Sequence, residues 1–277
     1  MGNMKSCFIV ATLALAACGS DKAKTPDAPI HVIDAPIDTP AHVVDAPPDA
    51  PAYDFSCFGM ANPTTAADPI TISGTTETLT MSGVQTVPNV AVDIYKSGVA
   101  APLDSKTSDA QGAFTSGNIV TAGVPFDGYI KAAVATYRTS YLYPPNPAVA
   151  SVTGVPVVML STQNFALLSQ FAGATQDDTN NGVLLLTVTD CANKPINGAT
   201  LTVKQNGANV GTQFDLGQLA AQAAGVVIVF NVPDGATDIS ASYNGMTFPA
   251  RNVLAHKKPN GANAVGTITA TAVRPGP

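Results

Sequence analysis

The sequence predicts an all-β protein with two tandem β-sandwich domains, set behind a proline-rich leader. Three observations carry that expectation. The 277-residue chain has one glutamate, Glu77, no tryptophan and only 12% charged residues, and it is rich in Val and Thr. Such residues favour pleated sheet over helix. Short stretches alternate apolar and polar residues, with turn signals about every eight to twelve positions. The pattern also recurs. Val90, Val92, Ile94 and Gly98 reappear as Ala199, Leu201, Val203 and Gly207 at a shift of 109. Gly112 and Asn118 are six apart, as are Gly225 and Asn231, which suggests an internal duplication.

The chain opens with one cation, Lys5, and an eleven-residue apolar run, Cys7 to Ala17. A membrane-spanning helix needs about 20 apolar residues, so the run reads as the core of a signal peptide, residues 1–17. It ends in Leu15-Ala16-Ala17-Cys18. This resembles the lipobox of bacterial lipoproteins. The resemblance implies cleavage between Ala17 and Cys18, a diacylglycerol thioether on Cys18 and acylation of the new amino group. Each buried CH₂ of such chains contributes about 0.8 kcal/mol, so two or three chains anchor durably. The plainer alternative is an ordinary signal peptide with Cys18 incidental. Gly19 and Ser20 place no acid next to the cysteine, which points to the outer membrane of a bacterial envelope.

Residues 18–56 read as a disordered tether. From Asp27 to Asp54 the first five aspartates are Asp27, Asp34, Asp38, Asp45 and Asp49, at spacings of 7, 4, 7 and 4, so the repeat unit is eleven residues long. Prolines within each unit rule out a helix, because each lacks an N–H and clashes with the preceding turn. An extended, charge-stretched spacer results, with a reach on the order of 100 Å. His31 and His42 occupy equivalent repeat positions. They read as repeat copies, with metal binding as the sharper alternative.

Residues 57–148 form the first expected sandwich. PITISG (69–74), VPNVAVDIY (87–95), the stretch 113–119 and YIKAAVATY (129–137) alternate as strands. Val90, Val92, Ile94, Ile130, Ala132 and Val134 face inward. Residues 149–181 are the expected connector. Within it, Ser161 or Thr162 can cap a short helix whose Phe165, Leu168 and Ala172 share a face, and Gly173 can end it. Residues 182–277 form the second sandwich, with strands at 183–189, 199–205, 225–233 and 265–273. The stretch 214–225 suggests a helical turn inside a loop.

The quoted turns carry a family resemblance. PINGATLTV followed by Gly225 and NVPDG is similar to the carboxypeptidase regulatory-like, transthyretin-like domain. The second set matches through Pro195, Gly198, Ala199, Gly225, Pro233 and Gly235. The first matches through Gly74, Pro88, Asp109, Gly112, Phe114 and Tyr129, but it lacks a clean V-P-x-G turn. The resemblance covers about 170 residues and implies Greek-key sandwiches. Its motifs mark turns and core positions, so they speak to fold rather than function.

Chemistry is sparsely represented. Zinc carboxypeptidase, intradiol dioxygenase and transthyretin-like hydrolase centres each need two histidines. The globular part has one, His256, and one imidazole cannot complete those shells. We therefore expect no catalytic residue, metal or cofactor. The formal net charge of −6 argues against nucleic acid. DDTNNG (177–182) is oxygen-rich, but it lacks the ligand at the twelfth position of a calcium loop. Cys57 and Cys191 are an even pair in an oxidising compartment. They are expected to form a disulfide that pins the start of the globular part to the second domain; two buried thiols are the alternative. The main binding candidate is TYRTSYLYPPNP. In an unbroken strand Tyr137, Tyr141 and Tyr143 share one side with Arg138 opposite, a platform for polysaccharide or peptide. The plainer reading packs the same rings on the sandwich.

The sequence therefore predicts a non-enzymatic, lipid-anchored envelope protein for adhesion, scaffolding or ligand binding. Its partners are the membrane, through Cys18, and an envelope or extracellular ligand. A tyrosine-based carbohydrate sensor and a hydrolase with an unrecognised site are the alternatives.

Overall fold

The structure, a computed structural model, describes residues 53–80, 83–219, 223–261 and 264–277. Ala17, Cys18, His31, His42 and the tether through residue 52 lie outside the described residues.

The first set supplies β1 (Ile72–Thr80), β2 (Gly83–Thr86), β3 (Ala91–Lys96), β4 (Asp104–Thr107), β5 (Ala113–Thr115), β6 (Gly128–Ala133), β7 (Thr139–Leu142) and β8 (Val152–Met159). Helix α1 (Thr162–Phe171) follows. The second set supplies β9 (Asn181–Val188), β10 (Thr200–Gln205), β11 (Ala208–Asn209), β12 (Thr212–Asp215), β13 (Val226–Pro233), β14 (Gly235–Tyr243), β15 (Met246–Thr247), β16 (Arg251–Ala255) and β17 (Thr267–Val273). A single 3₁₀ turn, Leu216–Gln218, sits in the loop where a helical turn is expected, capped by the Asp215 side chain.

The duplication is visible in the pairing. β1 takes β5 antiparallel and β8 parallel. β9 takes β13 antiparallel and β17 parallel. β3 pairs with β4 and β6, and β10 pairs with β11 and β14. Residues 152–159, inside the expected connector, are thus the closing strand of the first set, equivalent to β17. A run of valines reads alike as linker or buried strand, and the parallel pairing that decides the matter is non-local.

The two sets do not stand apart. β7 lies parallel to β17, with Thr139 opposite Thr267 and Leu142 opposite Ala270. This edge contact merges one layer of each set into an eight-stranded sheet, ordered β12-β13-β9-β17-β7-β6-β3-β4. A smaller sheet of β2, β1, β5 and β8 covers one face of its first half. A sheet of β10, β11, β14, β15 and β16 covers the other face of its second half. The protein is therefore two β-sandwiches that share a layer.

The sequence explains why the join is stable. A strand covered on both faces reads as a continuous apolar run rather than an alternation. β9 contains VLLLTV and β17 TITATAV, and almost every residue of both is buried. Leu184, Leu186, Val229, Ile239 and Phe248 fill the second core. Ile70, Val92, Ile94, Ile130 and Val157 fill the first. Full burial of each such side chain contributes roughly 1.5–3 kcal/mol.

Helix α1 closes a third cluster on the shared sheet. Ser161 caps it by accepting a hydrogen bond from the Asn164 N–H at 3.0 Å, and Phe165 is its buried residue. Leu168 and Ala172 pack beside Phe230 and Ile268. Gly173, at φ +61°, ends it. Gly74 is required where β1 meets β8, because a side chain there would collide with the Val155 carbonyl.

Candidate functional site

Tyr141 and Tyr143 project from one face of the shared sheet into the second core and are 9% and 4% exposed. Strand pairing brings two further tyrosines to that face: Tyr95 and Tyr129 sit opposite each other on β3 and β6. Their rings stack at 5.0 Å and 8°. Tyr129 stacks in turn on Tyr143 at 5.0 Å. Tyr141 stacks on His256, the residue after β16, at 3.8 Å. One aromatic array therefore begins half-exposed on the first sandwich and ends beneath the second.

Its electrostatics follow from burial. The Tyr141 phenol is pushed up to about 12 by desolvation and then by neighbouring Tyr129. Burial likewise raises Tyr143, Tyr129 and Tyr95. Desolvation pushes His256 down to about 4, against the pull of Asp234, with Lys131 adding to the shift. The imidazole is neutral at pH 7, and its Nε2 lies 3.4 Å from the Tyr143 hydroxyl.

Tyr137 does not join this array. The chain turns at residues 134–137, with Thr136 at φ +69°, so counting parity from Tyr137 fails. Its ring packs on the first core instead. Arg138 is 3% exposed. Its Nε donates to the Thr267 carbonyl at 3.2 Å, and its two terminal nitrogens form a bidentate pair with Asp178. The guanidinium lies 3.8 Å over the Phe165 ring, and any side chain at Gly266 would overlap it. Arg138 thus ties β7, α1, the 177–180 turn and β17 together. The neighbouring carboxylate is also engaged: Asp177 accepts from the Thr179 N–H at 3.0 Å and from Asn180 Nδ2 at 2.7 Å. Asn180, foremost, holds its carboxyl below the usual range.

Cys57 and Cys191 form the expected disulfide, with Cα atoms 5.7 Å apart. The segment ahead of it, read from sequence as the end of the tether, is docked on the second sandwich. The Asp54 N–H donates to Asp190 at 3.0 Å, and the Cys191 N–H donates to the Asp54 carbonyl at 2.8 Å. Tyr53 and Phe55 pack against Tyr243 at 5.5 and 5.9 Å. Two aromatics flanking an aspartate were the available signal, hidden by the repeat in which they sit.

The sequence reading gave Tyr95, Tyr129 and His256 no part in a binding site, and it did not find the Arg251–Asp127 ion pair at 3.2 Å, which also crosses between the sandwiches. Only the cross-strand register reveals them. Chemically the array offers little open ring surface. Tyr141 is covered by His256, and Tyr129 lies between Tyr95 and Tyr143. It welds two domains and leaves the outer side of Tyr95 to solvent. No helix among the described residues is long and apolar enough to cross a membrane.

No protein family and no curated protein matches the chain. Some solved structures show a distant likeness. The Bacillus anthracis TIE protein is 15% identical over 74% of this chain, which spans 34% of that one, at a TM-score of 0.24. A cohesin–dockerin complex from Acetivibrio cellulolyticus is 16% identical over 33% of this chain and 58% of that one, at 0.24. The shaft pilin SpaA of Lactobacillus rhamnosus GG is 12% identical over 77% of this chain and 99% of that one, at 0.22. At these scores the likeness carries no functional weight, and the chain's architecture rests on its own coordinates: an all-β protein of paired sandwiches.

Proposed function

We propose that this chain is a non-enzymatic lipoprotein of the bacterial envelope that displays a rigid two-sandwich head for adhesion or scaffolding. One observation carries the reading: the side chains of the candidate platform, Arg138, Tyr141 and Tyr143 with His256, are consumed in joining the sandwiches. Arg138 is spent on Asp178, and His256 on Tyr141. The head is built to hold its shape, as a displayed module requires. The Leu15-Ala16-Ala17-Cys18 sequence supplies the anchor, and the repeated Pro/Asp segment the spacer. The two halves share one pairing scheme, and Gly112 and Gly225 serve as left-handed turn glycines at φ +76° and +81°. Both features support sandwiches of the regulatory-like type.

The anchor is tested by mass spectrometry of the N-terminal peptide from native membranes. A diacylglyceryl Cys18 is expected, and Cys18→Ser should move the protein to the soluble fraction. An unmodified thiol on Cys18 would remove the anchor from the reading. The passive role is tested by proximity labelling on intact cells, which should recover a defined envelope or extracellular partner. Turnover of ester or peptide substrates by the purified head would overturn it.

A further inference from the structure

The eight-stranded sheet has a groove on the face opposite the tyrosines. It runs between the central strands and β8, with Ile130, Leu142, Leu185 and Val158 among its lining residues. Its volume is about 840 Å³, within the roughly 300–1,000 Å³ of small-molecule sites. Small side chains from the central strands, Ala270, Ala272 and Thr187, make the floor, and the proline-rich stretch 144–147 helps form a wall. The lining is overwhelmingly apolar.

Among the polar residues of the lining, Thr189 and Arg274 have hydrogen-bonding capacity left unmet. Thr189 is 6% exposed, and its Oγ1 is buried with no hydrogen bond among the described residues. Arg274 Nε is also buried and unsatisfied. Only one guanidinium bond is made, from Nη2 to the Cys191 carbonyl at 2.7 Å. No carboxylate of the described residues lies within ion-pair distance of Arg274. Leaving buried donors unmade is costly, most of all for a charged group. An arginine without a counter-charge at the edge of an apolar groove is complementary to one kind of molecule: a long apolar body with a single anionic end.

We propose that this groove binds a long-chain carboxylate, with the chain along Ala270 and Ala272 and the carboxylate accepting hydrogen bonds from Arg274 and Thr189. The site is independent of the lipid anchor. It is tested on the full-length chain carrying Cys18→Ser, so that no acyl group of its own competes. Dansyl-labelled undecanoate is bound and then displaced with palmitate. Saturable, one-to-one displacement is expected, with palmitate methyl ester at least tenfold weaker. Arg274→Gln should weaken palmitate at least tenfold, as loss of a charge-assisted hydrogen bond predicts. Ala272→Leu, which fills the floor, should abolish binding with the melting temperature retained. No saturable displacement, equal competition by the ester, or unchanged affinity in Arg274→Gln would each overturn the assignment.

Discussion

His256 makes the molecule's stability depend on pH in a way that can be isolated. Its ring is held at about 4 in the folded protein against an ordinary value of 6.5, chiefly by burial. Between those values the unfolded chain binds a proton that the folded chain refuses. Stability therefore rises with pH across this window and is lost as pH falls through it. The stabilisation is fully present above about 6.5. A difference of about 2.5 pH units corresponds to an upper figure of roughly 3 kcal/mol by pH 4. Water that reaches the partly buried ring screens it somewhat below that. The comparison is between the native chain and His256→Phe, which keeps a flat ring against Tyr141. Urea unfolding at several pH values between 7 and 4 gives both slopes, and carboxylate protonation common to the two cancels. The native chain should lose roughly 2–3 kcal/mol more than the variant over this range. Parallel pH profiles would show that His256 is protonated without penalty, and that the ring is not desolvated as the stacking implies.

Three other outcomes follow from the same geometry. Asp178→Asn strands the Arg138 guanidinium and should cost about 3 kcal/mol in chemical denaturation, toward the low end for a broken buried pair because Asp178 is 30% exposed. Replacing both Cys57 and Cys191 with Ser releases a loop with a sequence separation of 134. Loop-closure entropy sets an upper loss of about 5 kcal/mol, read as a fall in denaturation midpoint matched by reduction of the native chain. Tyr141→Ala empties a core position and should cost about 3–5 kcal/mol. A variant that lost glycan capture but kept its melting temperature would return the tyrosines to the role of an open platform.

The strands were legible in the sequence wherever one face of a sheet meets water. Val92 and Ile94 alternate with half-exposed Asp93 and Tyr95, and the burial follows that alternation. Helix α1 was legible through Ser161 and Gly173, whose capping chemistry is local. β8 was not, because a valine run carries no period, and its parallel partner β1 lies some eighty residues upstream. The tyrosine parity failed for a similar reason. It assumed one strand through Tyr137, whereas the turn at Thr136 resets the count. The array itself depends on which edge of one sandwich meets which edge of the other. No residue in β7 announces β17 as its neighbour, since neither TSYL nor TITATAV carries a signal that selects a partner. The disulfide was legible from parity of cysteines alone, whereas the docking of Tyr53 and Phe55 beside it was not.

The position of that disulfide decides how the molecule carries tension. Covalently, Cys57 leads straight to Cys191, so a pull between the leading segment and the second sandwich runs through sulfur and bypasses everything from 58 to 190. The first sandwich lies off that covalent path, joined to the second by the β7–β17 seam, the aromatic array and two ion pairs. While oxidised, the protein can be stretched without that domain bearing any load; once reduced, the same pull passes through each of its strands in series.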